Sequence, residues 1–117
     1  PELNAAAGIN CCCGDEKLFR RIIGMADMTS RAESLEKALD NSDWKEYAQT
    51  CTELCSAAAA VGAERLAQSA QYSADLLAAG NIAELRSHER RLISNCRSFD
   101  EAAAAYIQKY TENGEKY

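Results

Sequence analysis

Apolar residues recur along this chain at every third or fourth position, the spacing that places them on one face of an α-helix. Four such segments follow one another, and each is bounded by residues that start or end helices. The predicted helices cover residues 15–39, 43–61, 63–79 and 81–110, and a short additional helix is expected at 5–9. No segment alternates between apolar and polar residues as a half-buried strand does. The pattern therefore predicts an all-α fold.

The helix boundaries carry recognisable capping residues. Three of the segments begin with a capping residue, which is Asp15, Asp43 or Asn81. A side-chain oxygen there can accept hydrogen bonds from the free N–H groups of the first turn. A glutamate stands three residues after the second and third of these, as in a capping box. Gly62 and Gly80 follow two segments, and glycine readily adopts the left-handed conformation that ends a helix. These signals support separate helices joined by tight turns.

Connections of two to four residues make sequential helices antiparallel neighbours. We therefore expect an all-α, up-down antiparallel four-helix bundle with a short extra N-terminal helix. A chain of 117 residues suits a single domain, residues 1–117, with one modest core. Because it begins at Pro1 without a methionine, we interpret it as a domain excised from a longer protein, and we expect residues 113–117 to fray.

Charge and hydropathy exclude several classes of partner. Thirteen basic and 18 acidic residues give a net charge of −5, and no basic run is present to neutralise phosphates of a nucleic acid. The same lack of a basic patch argues against an anionic membrane surface. No apolar stretch approaches the roughly 18 residues of a membrane-spanning helix. We expect neither nucleic acid nor membrane as a partner.

Six cysteines raise the question of the redox compartment. Cys11, Cys12 and Cys13 are consecutive, and adjacent cysteines cannot bridge one another without strain. Since the remaining three lie inside helical patterns, the spacing is not that of a secreted disulfide framework. We expect reduced thiols in a cytoplasmic protein, and we interpret the triple cysteine as packing at one end of the bundle.

Two features could carry chemistry of their own. His88 is the single histidine, and as a phosphate acceptor it would have Arg90 or Arg91 beside it to steer the anion. Cys51 and Cys55 are one helical turn apart and, with Cys96, could form a thiol-based redox or metal sensor. The alternative for both is ordinary packing: a half-buried ring edge for the histidine and small core residues for the thiols.

A stripe of small or neutral residues borders the apolar face of the second predicted helix. The stripe starts at the charged residue Lys45 and continues with Gln49, Thr52, Ser56 and Ala59. Small side chains at the surface of a helical bundle let another protein approach closely. The alanine run at 57–60 is equally explained by tight packing between helices.

The segment from Thr52 to Ala63 resembles the central motif of histidine-phosphotransfer domains. That motif is a histidine, any residue, leucine, lysine, then glycine or serine, followed by five residues and Gly-Ala. Here Thr52-Glu53-Leu54-Cys55-Ser56 precedes Gly62-Ala63 by five residues. The Gly14-Asp15 opening and the Asp43-Trp44 helix start resemble the family too, so the similarity spans nearly the whole chain.

The resemblance implies a degenerate member of the family. Thr52 replaces the histidine and Cys55 replaces the lysine, so the nucleophile and the cation that would steady phosphoryl oxygens are both lost. It implies a two-component phosphorelay domain that binds a receiver domain of a response regulator or a hybrid histidine kinase without accepting phosphate. We expect no enzyme activity and no cofactor, and we predict a docking face formed by Thr52, Cys55, Ser56 and Ala59. The alternatives at His88 and at the thiols stay open.

Overall fold

A computed structural model describes residues 3–112, with side chains described as far as Tyr110. This part of the chain contains helices and no strand, which confirms the all-α fold. The helices are α1 (Ala5–Cys11), α2 (Glu16–Ala26), α3 (Met28–Asp40), α4 (Trp44–Ala60), α5 (Glu64–Ala78) and α6 (Ile82–Glu112). The predicted fraying of 113–117 lies outside the described residues. No helix in the described range is long and apolar enough to cross a membrane.

The four longest helices contact one another in a closed ring. Helix α3 packs on α4, α4 on α5, α5 on α6, and α6 returns to α3, while α2 covers the remaining length of α6. The core is formed by apolar side chains from every helix of the ring and from α2. Its largest fully buried members are Phe19, Met28, Leu35, Tyr47, Leu54, Leu66, Leu85, Leu92 and Phe99. Burial of this common apolar face is the main force that holds the helices together.

The predicted capping residues act as expected. The Asp15 carboxylate accepts a hydrogen bond from the Leu18 N–H at 3.0 Å, and Asp43 accepts one from the Glu46 N–H at 3.2 Å. The Asn81 side chain does the same at the start of α6. Each bond satisfies a backbone donor that has no partner within the helix. Helix boundaries were thus readable from the sequence at these three turns.

The first long helix was predicted wrongly, because the segment 15–39 is two helices. The chain breaks at Asp27, whose φ of 44° lies in the left-handed region, and α3 restarts at Met28. Asp27 accepts a hydrogen bond from the Ser30 N–H at 3.2 Å. From α6, the two carboxylate oxygens of Asp100 accept hydrogen bonds from the N–H groups of Met28 at 3.1 Å and Thr29 at 2.7 Å. A distant residue therefore stabilises the break that the local apolar pattern conceals.

Removal of the Asp100 cap is expected to destabilise the fold. In Asp100→Ala the two N–H groups at the start of α3 lose their acceptors, which should lower the free energy of unfolding by about 1–2 kcal/mol. Urea unfolding followed by the fluorescence of Trp44 measures the change. The exposed neighbour provides a control, since Glu101→Ala should alter the stability by less than about 0.5 kcal/mol. Equal stability of the two variants would contradict the role given to Asp100.

The short helix α1 is seated on the turn between α4 and α5. Gly8 is buried there, and a Cβ atom at this position would overlap the Phe19 ring and lie 2.6 Å from the Val61 carbonyl oxygen. On the turn itself, a Cβ on Gly62 would lie 2.5 Å from the Gly8 nitrogen. Two glycines thus allow the backbones to approach closely. This contact fixes α1 beside the C-terminal end of α4.

Candidate functional site

The structure places the predicted docking face, Thr52, Cys55, Ser56 and Ala59, along one side of α4. Thr52, Ser56 and Ala59 are exposed, and Cys55 is half-buried. The spacing of three, four and seven residues from Thr52 keeps them on a continuous strip of the helix. On the opposite side of α4, Leu54 and Ala58 are buried in the core. The face is therefore accessible and held by a helix whose other side is fixed.

The Thr52 hydroxyl has no activating base among its recorded contacts. Its Oγ1 donates a hydrogen bond to the Ala48 carbonyl oxygen at 3.1 Å, within the same helix. A carbonyl oxygen accepts this bond but does not remove the proton, so the hydroxyl stays a weak nucleophile. The lysine position of the family motif is occupied by Cys55, which offers no positive charge. The contacts of Thr52 therefore provide no means of activating its hydroxyl group.

One end of the docking face lies against α1. The Cys11 Sγ is 3.8 Å from the carbonyl oxygen of Ala59, and both residues are exposed. Of its two neighbours in the triple cysteine, Cys12 is buried and Cys13 is exposed with a φ of 55°. The predicted packing at the end of the bundle therefore applies to Cys12 alone. The seat of α1 on the α4–α5 turn defines where the docking face ends.

His88 lies in a packed environment on α6. Its side chain is 8% exposed, and its Nε2 atom is 3.0 Å from the Ser69 carbonyl oxygen and 3.1 Å from the Ser69 hydroxyl. Because a carbonyl oxygen can only accept, this contact requires the hydrogen on Nε2. The Tyr72 ring also packs edge-on against the imidazole, with centroids 4.8 Å apart. His88 is therefore more deeply buried than the half-buried ring edge expected for it, and these contacts give the phosphocarrier alternative no support.

The three thiols of the sensor alternative are differently exposed. Cys51 and Cys96 are buried, while Cys55 is half-buried. Burial, followed by the charge of Glu89, raises the pKa of the Cys51 thiol to about 12, so it stays protonated and unreactive at neutral pH. Within residues 3–110, no three side chains of histidine, cysteine, aspartate or glutamate come together as metal ligands. No observation favours the sensor alternative.

The structure reveals a buried polar cluster that the sequence analysis missed. Glu89 on α6 is 3% exposed, and its Oε1 accepts a hydrogen bond of 2.6 Å from the Tyr47 hydroxyl on α4. Burial chiefly raises the pKa of Glu89 from 4.5 to about 7, and the charges of Glu36 and Asp40 act in the same direction, while the Tyr47 bond opposes them. Its position was the one signal of this burial in the sequence. Glu89 lies four residues after Leu85 and three before Leu92, on the same face of the helix as these two leucines.

Comparisons with protein-family models, with curated proteins and with solved structures give no match to this chain. The features that bear on function are consequently the motif in the sequence and the geometry around Thr52.

Proposed function

We propose that this chain is a pseudo-phosphotransfer domain of a two-component phosphorelay, which binds a receiver or hybrid histidine kinase without carrying phosphate. The observation that supports this most strongly is the exposure of the docking face at the position where the family motif places its reactive histidine. In this proposal the ring of α3, α4, α5 and α6 is the up-down antiparallel four-helix bundle of the family. In this proposal the domain acts in the cytoplasm.

The shape of the docking face supports protein binding. The exposed side chains are small: a hydroxyethyl group at Thr52, a hydroxymethyl group at Ser56 and a methyl group at Ala59. None of them prevents close approach of a second helix or loop. The exposed side chains of Lys45 and Glu53 border it and provide a polar rim. A small interface with a polar rim is typical of weak, transient signalling contacts. Such a contact suits a domain that holds a partner and then releases it.

The same face explains why phosphate would not be carried. In a relay the acceptor must take the phosphoryl group from an aspartyl phosphate and later return it, which a neutral imidazole nitrogen does through a labile bond. A phosphothreonine ester is far more stable and would trap the group. Without a cation at Cys55, the phosphoryl oxygens also lack the charge stabilisation on which such transfers depend.

Binding to receiver domains tests the proposal. Each receiver domain encoded by the source genome is titrated against the immobilised chain, and a partner is expected with a dissociation constant in the micromolar range typical of transient contacts. Thr52→Arg places a long charged side chain in the centre of the docking face and should weaken that binding by at least about tenfold. No acid-labile phosphate should appear on the wild-type chain when the receiver is phosphorylated.

A second arginine variant is the matched control. Ser98 is a small polar residue at an exposed position of α6, so Ser98→Arg makes the same kind of change outside α4. It should bind the receiver as the wild type does. Equal affinities for wild type and Thr52→Arg would remove Thr52 from the interface, and failure of every receiver to bind would refute the proposed function.

A further inference from the structure

Within residues 3–110, no positive charge compensates one carboxyl group deep in the bundle. Glu89 is 3% exposed, whereas its neighbours Arg90 and Arg91 lie at exposed positions. The charged groups that act on Glu89 are the acids Glu36 and Asp40 of α3. An ionised carboxylate buried without a cation is strongly disfavoured, and nearby negative charges increase this cost.

Hydrogen bonding offsets the charge of an ionised Glu89 only in part. The Oε1 atom of Glu89 accepts from the Tyr47 hydroxyl of α4, while its Oε2 atom is buried with no protein partner. The buried Ser73 hydroxyl of α5 lies in the same cluster and acts on the Tyr47 hydroxyl, and it does not supply a donor to Oε2. Cys51, the other titratable group that α4 contributes to the cluster, is itself a protonated thiol. A carboxylate with one satisfied oxygen is poorly stabilised, and a proton on Oε2 removes its charge while the Tyr47 bond remains.

We propose that Glu89 is a proton-binding site inside the bundle, occupied in the folded domain up to neutral pH, and that loss of this proton destabilises the bundle. The bond from Tyr47 reaches Glu89 across the core, where the other charged groups that act on Glu89 are acids, so an ionised Glu89 leaves a poorly compensated charge in the interior. This makes the domain sensitive to pH near neutrality. This pH sensitivity belongs to the bundle itself and requires no docking partner.

The direction of the pH dependence follows from linkage. The pKa of Glu89 is about 7 in the folded chain against 4.5 for an unburied glutamate. Between these values the folded state binds a proton that the unfolded state has released, so stability is highest below about pH 4.5 and decreases as the pH rises to about 7. For this group alone, the folding equilibrium constant should fall roughly 70-fold between pH 5 and pH 8.

Urea unfolding at several pH values between 5 and 8 tests the proposal on the whole chain. Glu89→Gln keeps the shape and an acceptor for Tyr47 but cannot ionise. Between pH 5 and pH 8 its folding equilibrium constant should therefore fall by a factor roughly 70 times smaller than that of the wild type. Glu101→Gln, at an exposed position of the same helix, should follow the wild type. Identical pH profiles for wild type and Glu89→Gln would overturn the proposal.

A direct titration keeps the proposal testable even when Glu89→Gln does not fold. The side-chain carboxyl carbon of Glu89 in the wild-type chain can be followed by NMR across the same pH range. A midpoint near 7 supports a proton held in the folded state, and a midpoint near 4.5 overturns it.

Discussion

Replacement of Gly62 by alanine is expected to lower the free energy of unfolding by about 3 kcal/mol, far more than the same change at Gly80. Both glycines have a φ of 73°, so both substitutions impose the strain of a left-handed alanine, about 1 kcal/mol. They differ in their surroundings. A Cβ at Gly62 would lie 2.5 Å from the Gly8 nitrogen and 2.7 Å from the Ala7 carbonyl carbon, whereas at Gly80 no atom lies within 4 Å.

The difference between the two variants isolates the contact with α1. Since both new neighbours of the Gly62 Cβ are backbone atoms, α1 must shift as a unit, which adds about 2 kcal/mol of overpacking strain. Urea unfolding monitored through Trp44, the single tryptophan, gives both free energies. Equal destabilisation by Gly62→Ala and Gly80→Ala would show that α1 is not held against the α4–α5 turn.

Restoring two residues of the family motif is expected to create a phosphate acceptor. In Thr52→His with Cys55→Lys, an exposed imidazole replaces the weak hydroxyl nucleophile, and an ammonium group supplies the missing cation. The half-buried position of Cys55 tolerates lysine, because its aliphatic stem can follow the helix surface while the charge reaches water. With a phosphorylated receiver that binds the chain, acid-labile labelling should rise at least about 100-fold above the wild type.

A displaced histidine is the control for this gain of function. Ser56→His with Cys55→Lys puts the same two groups on the same exposed face of α4, one turn from the predicted acceptor position. It should be labelled much more weakly, because phosphoryl transfer depends on in-line positioning. A Thr52→His, Cys55→Lys variant that binds the receiver but remains unlabelled would contradict placing Thr52 at the acceptor position.

Local signals in the sequence were sufficient for most of the secondary structure. The turns after Asp40, Val61 and Ala79 are defined by residues that act on their own neighbours, and the structure confirms those helix boundaries. The break at Asp27 could not be read in the same way. The apolar stripe continues across it, and part of its stabilisation comes from Asp100, more than 70 residues away in the chain.

The buried polar cluster around Glu89 could not be predicted from the spacing of apolar residues. In the fourth predicted helix no apolar residue lies between Leu85 and Leu92. In the structure the buried positions between these two leucines are occupied by His88 and Glu89. Polar residues in such a gap are normally assigned to the solvent side. Only the position of Tyr47 on α4 explains how the carboxyl group is accommodated.

Burial along the individual helices was only partly readable from the spacing of apolar residues. Leu18 is at an apolar position of the first predicted helix but is 38% exposed, and in α5 Leu76 is more deeply buried than Leu77. By contrast, the exposure of Thr52, Ser56 and Ala59 follows from the register of α4 relative to the buried Leu54 and Ala58, while their role in docking stays a prediction.

Mapping the contact surface with a bound receiver domain tests the central claim most directly. Backbone amide signals of the isotopically labelled chain are followed by NMR while the unlabelled receiver is added. The docking face predicts the largest changes at Thr52, Cys55, Ser56 and Ala59, and little change around the exposed Met25 in the groove between α2 and α6. Changes centred on that groove, with the signals of α4 unaffected, would contradict the account.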